Sequence, residues 1–159
     1  MRAVVQRVNG ATLEVVGEDG VGRAHARIGR GLVVLVGIET GDGAEASAWM
    51  ARKIVGLRVF PDGEGRMNES LLDLAGTGGG GGVLLVPNFT VAGRARRGRR
   101  PDFTRAMAPA EASAAFARLT ENVAAEAPGV LVETGVFGAH MHVSLENDGP
   151  VTIWLDSEA

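Results

Sequence analysis

Four short apolar runs open the chain, at residues 3–8, 11–16, 22–28 and 32–38, each the length of a strand. Turn-forming residues separate the first two (Asn9-Gly10) and the last two (Gly29-Arg30-Gly31), so the pattern predicts a β meander. The period then changes. Asp42 followed by Glu45 resembles a capping box, and Trp49, Met50, Lys53, Ile54 and Leu57 recur at helical spacing, which predicts a helix over 44–56 and a strand over 57–60. Pro109 suits a first helical turn, Ala112, Ala115, Phe116, Leu119 and Val123 form an apolar stripe, and Pro128-Gly129 ends the second helix. Runs at 130–133, 141–145 and 151–155 read as strands, the last two separated by a turn at Asn147-Asp148-Gly149-Pro150.

Strands dominate, with two main helices inserted and no strict β-α-β alternation. The fold class is therefore α+β, built on a mixed or antiparallel sheet. A chain of 159 residues, 45% of them hydrophobic, is long enough for one core and short for two, so a single domain over 1–159 is expected. The chain has no cysteine, which excludes disulfides, thiolate zinc sites and cysteine nucleophiles. No apolar segment approaches the ~18 residues of a membrane span, and a soluble, cytoplasmic protein is expected.

The net charge of -3 offers no general attraction for RNA, yet Arg94, Arg96, Arg97, Arg99, Arg100 and Arg105 crowd one segment. Their field reaches about 8 Å at physiological ionic strength, enough to hold phosphates; a solvated loop is the other reading.

Several candidate chemistries fall away on spacing. The letters of G-x-G-x-x-G occur at 76–81, but a strand-like run follows rather than a helix, so Gly78 to Gly82 read as a connection and not a phosphate cradle. His140 and His142 would share a strand face without a third ligand, and no metal or other cofactor is expected. Ser144 stands in mid-strand without the elbow that exposes a nucleophile. The tetrapeptide 147–150 keeps more interest: proline fixes its own φ, Gly149 accepts angles closed to other residues, and an X-Pro bond is cheap in the cis form. Taken alone it reads first as an ordinary hairpin turn, since turn residues between strands are common, and only second as a rigid main-chain probe.

Its company points further. Met1-Arg2-Ala3-Val4-Val5-Gln6-Arg7-Val8, Leu57-Arg58-Val59-Phe60, Gly65-Arg66-Met67-Asn68, Val86-Pro87-Asn88-Phe89-Thr90-Val91, Arg100-Pro101-Asp102-Phe103 and the block from Met141 to Thr152 together resemble the D-aminoacyl-tRNA deacylase family. That family consists of homodimeric editing enzymes that remove D-amino acids from tRNA. One departure stands out: the family usually has Ser-Gln-Phe-Thr-Leu where this chain has Pro87-Asn88-Phe89-Thr90-Val91.

The resemblance implies a curved, barrel-like sheet with helices on one side and a homodimer with shared active sites. Its substrate would be aminoacyl-tRNA, with D-aminoacyl and glycyl esters hydrolysed and L-aminoacyl esters spared. Asn88, Phe89 and Thr90 would form the catalytic segment. Gly149 and Pro150 would carry a cis bond into the partner's site and reject L-residues by main chain, while Phe137 and Met141 would line the substrate pocket. Core packing remains an equal reading for Phe89 and a strong one for Phe137 and Met141. Arg97, Arg99 and Arg100 are the candidate tRNA contacts. Thr90 has no base beside it in sequence, so the expected chemistry uses backbone amides around Phe89 and Thr90 as oxyanion donors and the substrate's ribose 2′-hydroxyl to activate water. An RNA-binding module without catalysis and a structural or small-ligand-binding dimer are the competing readings.

Overall fold

The computed structural model describes residues 1–78, 81–96 and 98–158. In chain order the elements are β1 (Arg2–Val16), β2 (Gly22–Ile28), β3 (Gly31–Gly37), α1 (Ala44–Gly56), β4 (Phe60–Pro61), β5 (Met67–Glu69), α2 (Leu71–Gly76), β6 (Gly82–Pro87), a 3-10 turn (Phe89–Ala92), α3 (Pro109–Glu126), β7 (Leu131–Thr134) and β8 (Met141–Asp156). The α+β expectation holds, on a curved main sheet that mixes antiparallel and parallel pairs. The expected strand at 57–60 is reduced to Phe60–Pro61. A third helix, α2, was not foreseen, although Ser70 and Asp73 form the reciprocal capping box that starts it. The two middle glycines of the 78–82 run lie outside the described residues, and β6 follows it directly, as a strand and not a helix.

The meander expectation fails, and the reason is instructive. Asn9-Gly10 makes no turn: β1 is one strand throughout. Along one edge it pairs with β8, and along the other with β3 over residues 2–8 and β2 over residues 11–16. Ile28 lies opposite Ala11 and Gly31 opposite Val8, so β2 and β3 run end to end in the same direction and Gly29-Arg30-Gly31 is a kink, not a reversal. Asn147-Asp148-Gly149-Pro150 is not a hairpin turn either. Gln6 faces Thr152 and Val8 faces Asn147, which leaves Asp148, Gly149, Pro150 and Val151 bulging opposite Arg7 alone.

These irregularities stand at one level of the sheet and form a crease. On the helix side of the crease, Ala3 pairs with Leu155 and Val5 with Ile153; beyond it, Ala11 pairs with Leu145 and Leu13 with Val143. All eight positions are odd-numbered, yet the first four join the core under α1 and α3 while the second four join a separate cluster with Val8, Ile28, Val33, Leu84 and Val86. Side chains alternate faces with a strict period of two, so an inserted residue at Asn9 in β1, and an odd excess in the β8 bulge, exchange the faces.

Both clusters are apolar. Leu32, Leu85, Ile54 and Leu119 are fully buried in the first, each stabilising the fold by roughly 1.5–3 kcal/mol over an exposed position. Strand β6 is buried on both faces, with Val83 and Leu85 in one cluster and Leu84 and Val86 in the other. Its parallel contact with β3 begins at a Gly31–Gly82 pair, where a β-carbon on Gly31 would lie 1.9 Å from the Gly82 carbonyl oxygen.

The bulge is held from both ends. The Gly149–Pro150 peptide is cis, as the resemblance implied, and both residues are exposed. Arg7 Nε donates to the Asp148 carbonyl at 3.1 Å and pairs with its carboxylate at 2.8 Å, while Arg7 Nη1 donates to the Val59 carbonyl. Asn147 Nδ2 donates to the carbonyls of Arg7 and Val151, each at 3.0 Å. The bonds made by the charged Arg7 guanidinium are each worth about 1.5–3 kcal/mol. Arg7→Met, which keeps the apolar stem, should therefore lower unfolding free energy by about 2 kcal/mol in urea and speed amide exchange at Gly149 and Val151. Unchanged exchange at those two amides would show that Arg7 does not hold the bulge.

Candidate active site

At the open end of the sheet, β6 stops at Pro87 and Asn88 donates its amide to the Val36 carbonyl at 2.8 Å. The chain then tightens into the 3-10 turn. The Asn88 side-chain oxygen accepts the Thr90 amide at 3.1 Å and the Thr90 hydroxyl at 2.5 Å, an Asx-type cap. This engages one of the two amides expected to stabilise an oxyanion. Thr90 N–H is committed to Asn88, whereas the Phe89 N–H meets no acceptor among the described residues. The short Asn88 side chain thus folds back onto its own turn.

Phe89 is 60% exposed, and its ring meets Phe103 edge-on with centroids 5.2 Å apart. Core packing is thereby excluded for Phe89. A β-carbon at Gly93 would lie 2.6 Å from the Phe103 ring, so the close return of the chain after the turn requires glycine. The arginine segment follows as a loop closed by reciprocal 2.8 Å bonds between the main chains of Arg94 and Asp102. Hydrogen bonds from Thr104, with a smaller contribution from Arg94, hold the Asp102 carboxyl below the usual carboxylate range. Arg99 and Arg100 are exposed on this loop; Arg97 lies outside the described residues.

Beyond the loop, residues 103–107 are tied to the end of β3. Thr40 N donates to the Arg105 carbonyl at 2.9 Å and Met107 N to the Ile38 carbonyl at 3.0 Å. Under them lies Glu39, a fully buried carboxylate flanked by Arg105 Nε at 3.3 Å and Arg2 Nε at 3.2 Å, neither aligned as a hydrogen bond. Arg2 continues to Asp156 at 3.0 Å. An ion pair this deep is costly to break from one side, so it clamps the wall carrying Phe103 and Met107 against the sheet.

Between that wall, the ends of β3 and β6, and residues 137–143 lies a cleft of about 650 Å³. Asn88, Phe89, Phe137 and Met141 all line it, and the structure brings these four predicted residues together. Thr90 stands just outside the lining, exposed, and Gly149 and Pro150 are not part of it; they sit at the crease. Sequence reasoning missed Phe103 and Met107 as lining residues, although Phe103 closes one of the quoted motifs. It also considered His140 only as a metal ligand. His140 is the one titratable side chain among the lining residues, and its ring meets His142 edge-on at 5.2 Å. Among the described residues no three His, Asp or Glu side chains gather as a metal site. Among the described residues no helix is long and apolar enough to cross a membrane.

Comparison with known proteins identifies the family. The family described as D-Tyr-tRNA(Tyr) deacylase matches residues 4–156. A D-aminoacyl-tRNA deacylase from Syntrophomonas wolfei is 49% identical over 158 residues, covering 99% of this chain and 98% of the relative. Its namesake from Thermoanaerobacter pseudethanolicus is 51% identical with the same coverage of both chains. Among solved structures, one described as c-Myc DNA Unwinding Element Binding Protein superimposes with a TM-score of 0.88 at 38% identity, covering 100% of each chain. A probable eukaryotic D-amino acid tRNA deacylase, at 20% identity, TM-score 0.77 and 97% coverage of each chain, shares the fold. A family match across almost the whole sequence, joined to half identity with full-length relatives, settles the assignment: this chain belongs to the D-Tyr-tRNA(Tyr) deacylase family.

Proposed function

We propose that the chain hydrolyses the ester of D-aminoacyl-tRNA in the cytoplasm, as a homodimer in which Gly149-Pro150 of each subunit completes the cleft of the other. The observation that carries this reading is a mismatch of parts. The cleft has an exposed aromatic ring and an amide without an acceptor, and among the described residues its lining side chains are apolar apart from Asn88 and His140, which gives it few groups with which to read the hand of an amino acid. The rigid exposed main chain suited to that task stands at the crease, outside its own cleft. A two-fold dimer lets one surface supply what the other lacks.

In this reading the terminal adenosine lies against Phe89 and the aminoacyl group enters between Phe137 and Met141. The Phe89 N–H meets the developing oxyanion, a contribution of about 3 kcal/mol where such a donor has been removed elsewhere. Asn88 and Thr90 hold the turn that aims it. Water is activated by the substrate's own 2′-hydroxyl, since the cleft offers no carboxylate and His140 is paired with His142 at its edge. Carbonyls of the partner's bulge face the α-carbon, so an L side chain collides and a D side chain points away. Glycine has nothing to collide. Arg97, Arg99 and Arg100 contact phosphates, which position a nucleic acid without reading the amino acid.

Deacylation assays should show hydrolysis of several D-aminoacyl-tRNAs and of glycyl-tRNA, with the L-forms spared by at least a hundredfold in kcat/KM. Equal rates on D- and L-forms would refute rejection by a main-chain wall.

The chemistry is tested by single-turnover rates at saturation. Thr90→Ala and His140→Ala should each lose less than about tenfold, while a 2′-deoxy terminal ribose should lose on the order of a hundredfold or more. The opposite ranking would make a side chain, not the substrate, the source of the base or nucleophile.

A further inference from the structure

A second, smaller hollow of about 360 Å³ lies at the C-terminal turn of α1, lined by Trp49, Arg52, Lys53, Gly56, Leu57 and Arg58. Arg52, Lys53 and Arg58 are exposed, and among the described residues none forms an ion pair. Lys53 Nζ stands 5.5 Å from the ring centroid of the half-buried Trp49. The negative end of a helix dipole accounts for one cation in the last turn. Arg58, beyond the helix, lies near Asp73, whose carboxyl is held below the usual range by hydrogen bonds from Ser70 with a smaller contribution from Arg58, but nothing in the helix accounts for a hollow walled by an indole and two further cations.

The hollow is separate from the cleft of its own chain. The two share no lining residue, and α1, with 13 residues, carries the chain about 20 Å from the end of the helix nearer β3. It adjoins the crease instead. The Arg7 guanidinium joins the Asp148 carbonyl to the carbonyl of Val59, and Val59 follows Arg58 directly.

We propose that this hollow is an RNA-backbone site, which grips the acceptor end of the tRNA whose aminoacyl group occupies the partner subunit's cleft. The proposal rests on the cross-subunit reading above: a bulge that enters the partner's cleft carries its neighbouring cations to the mouth where the RNA leaves. Cations at short spacing match successive phosphates, and an indole offers a platform for an unpaired base, the combination by which single-stranded nucleic acid is held without sequence preference.

The test uses the full-length dimer carrying Arg52→Glu, Lys53→Glu and Arg58→Glu together, and a control of equal charge change, Arg23→Glu, Arg66→Glu and Arg118→Glu. With D-aminoacyl-tRNA, the first triple should raise KM at least tenfold with kcat within about twofold, and reduce the log–log salt slope of tRNA binding by about 2, at roughly 0.7 per single-strand phosphate contact. Hydrolysis of a D-aminoacyl-adenosine, which has no RNA backbone, should be unchanged, and so should the urea midpoint. The single variant Arg58→Glu should carry part of the same shift. Equal KM for the two triples, or an unchanged slope in the first, would overturn the proposal while leaving the dimeric site intact. An active wild-type monomer would overturn the reading beneath it and the proposal together.

Discussion

The fold depends on the ladder between β1 and β8, two strands that stay paired across a break in register. Opposite Arg7, β8 carries Asp148 to Val151 out of the sheet and returns to pairing at Thr152. An extra residue in a ladder reverses which face each later side chain occupies. The same strands therefore supply one core under the helices and a second core in the fold of the sheet, and the 650 Å³ cleft opens where the two meet, lined by Val36, Ile38 and Ala112 from the first and by Val86, Met141 and Val143 from the second. Met141 and Val143 reach the cleft because the crease has turned their face inward.

The crease also sets what the molecule offers to others. Gly149 and Pro150 are exposed and fixed, buttressed by Arg7 and Asn147, and the cleft is apolar with an amide in reserve. Its far wall is fixed independently, by the buried Glu39 between Arg2 and Arg105. Under the proposed function, these two surfaces would complete each other in a site shared between subunits.

Much of this was legible in the sequence. The apolar stripe of α3 gave a helix from Pro109 to Glu126, and the motif residues Asn88, Phe89, Phe137 and Met141 meet in one cleft. The misread turns have one physical cause. Asn-Gly and Gly-Pro pairs mark departures from regular strand geometry, and composition does not say whether the departure reverses the chain or only bulges it. Asn9-Gly10 and the 147–150 segment were therefore assigned as turns, and the long strands were divided at the crease. The odd-numbered apolar positions on both sides of it look like one face until the register is known. The commitment of the Thr90 amide to Asn88 depends on a side-chain rotamer and could not be read from residue order.

The central claim is that cleft and bulge work across subunits. The most direct measurement mixes two variants, Phe89→Ala in the cleft and Gly149→Leu in the bulge, each inactive as a homodimer, and assays the purified hybrid on D-aminoacyl-tRNA. One of the two clefts in the hybrid pairs an intact Phe89 with an intact bulge from the other chain, so about half the wild-type activity per dimer is expected. A hybrid that forms but remains inactive would contradict the account, because it would place both parts of each site in the same subunit.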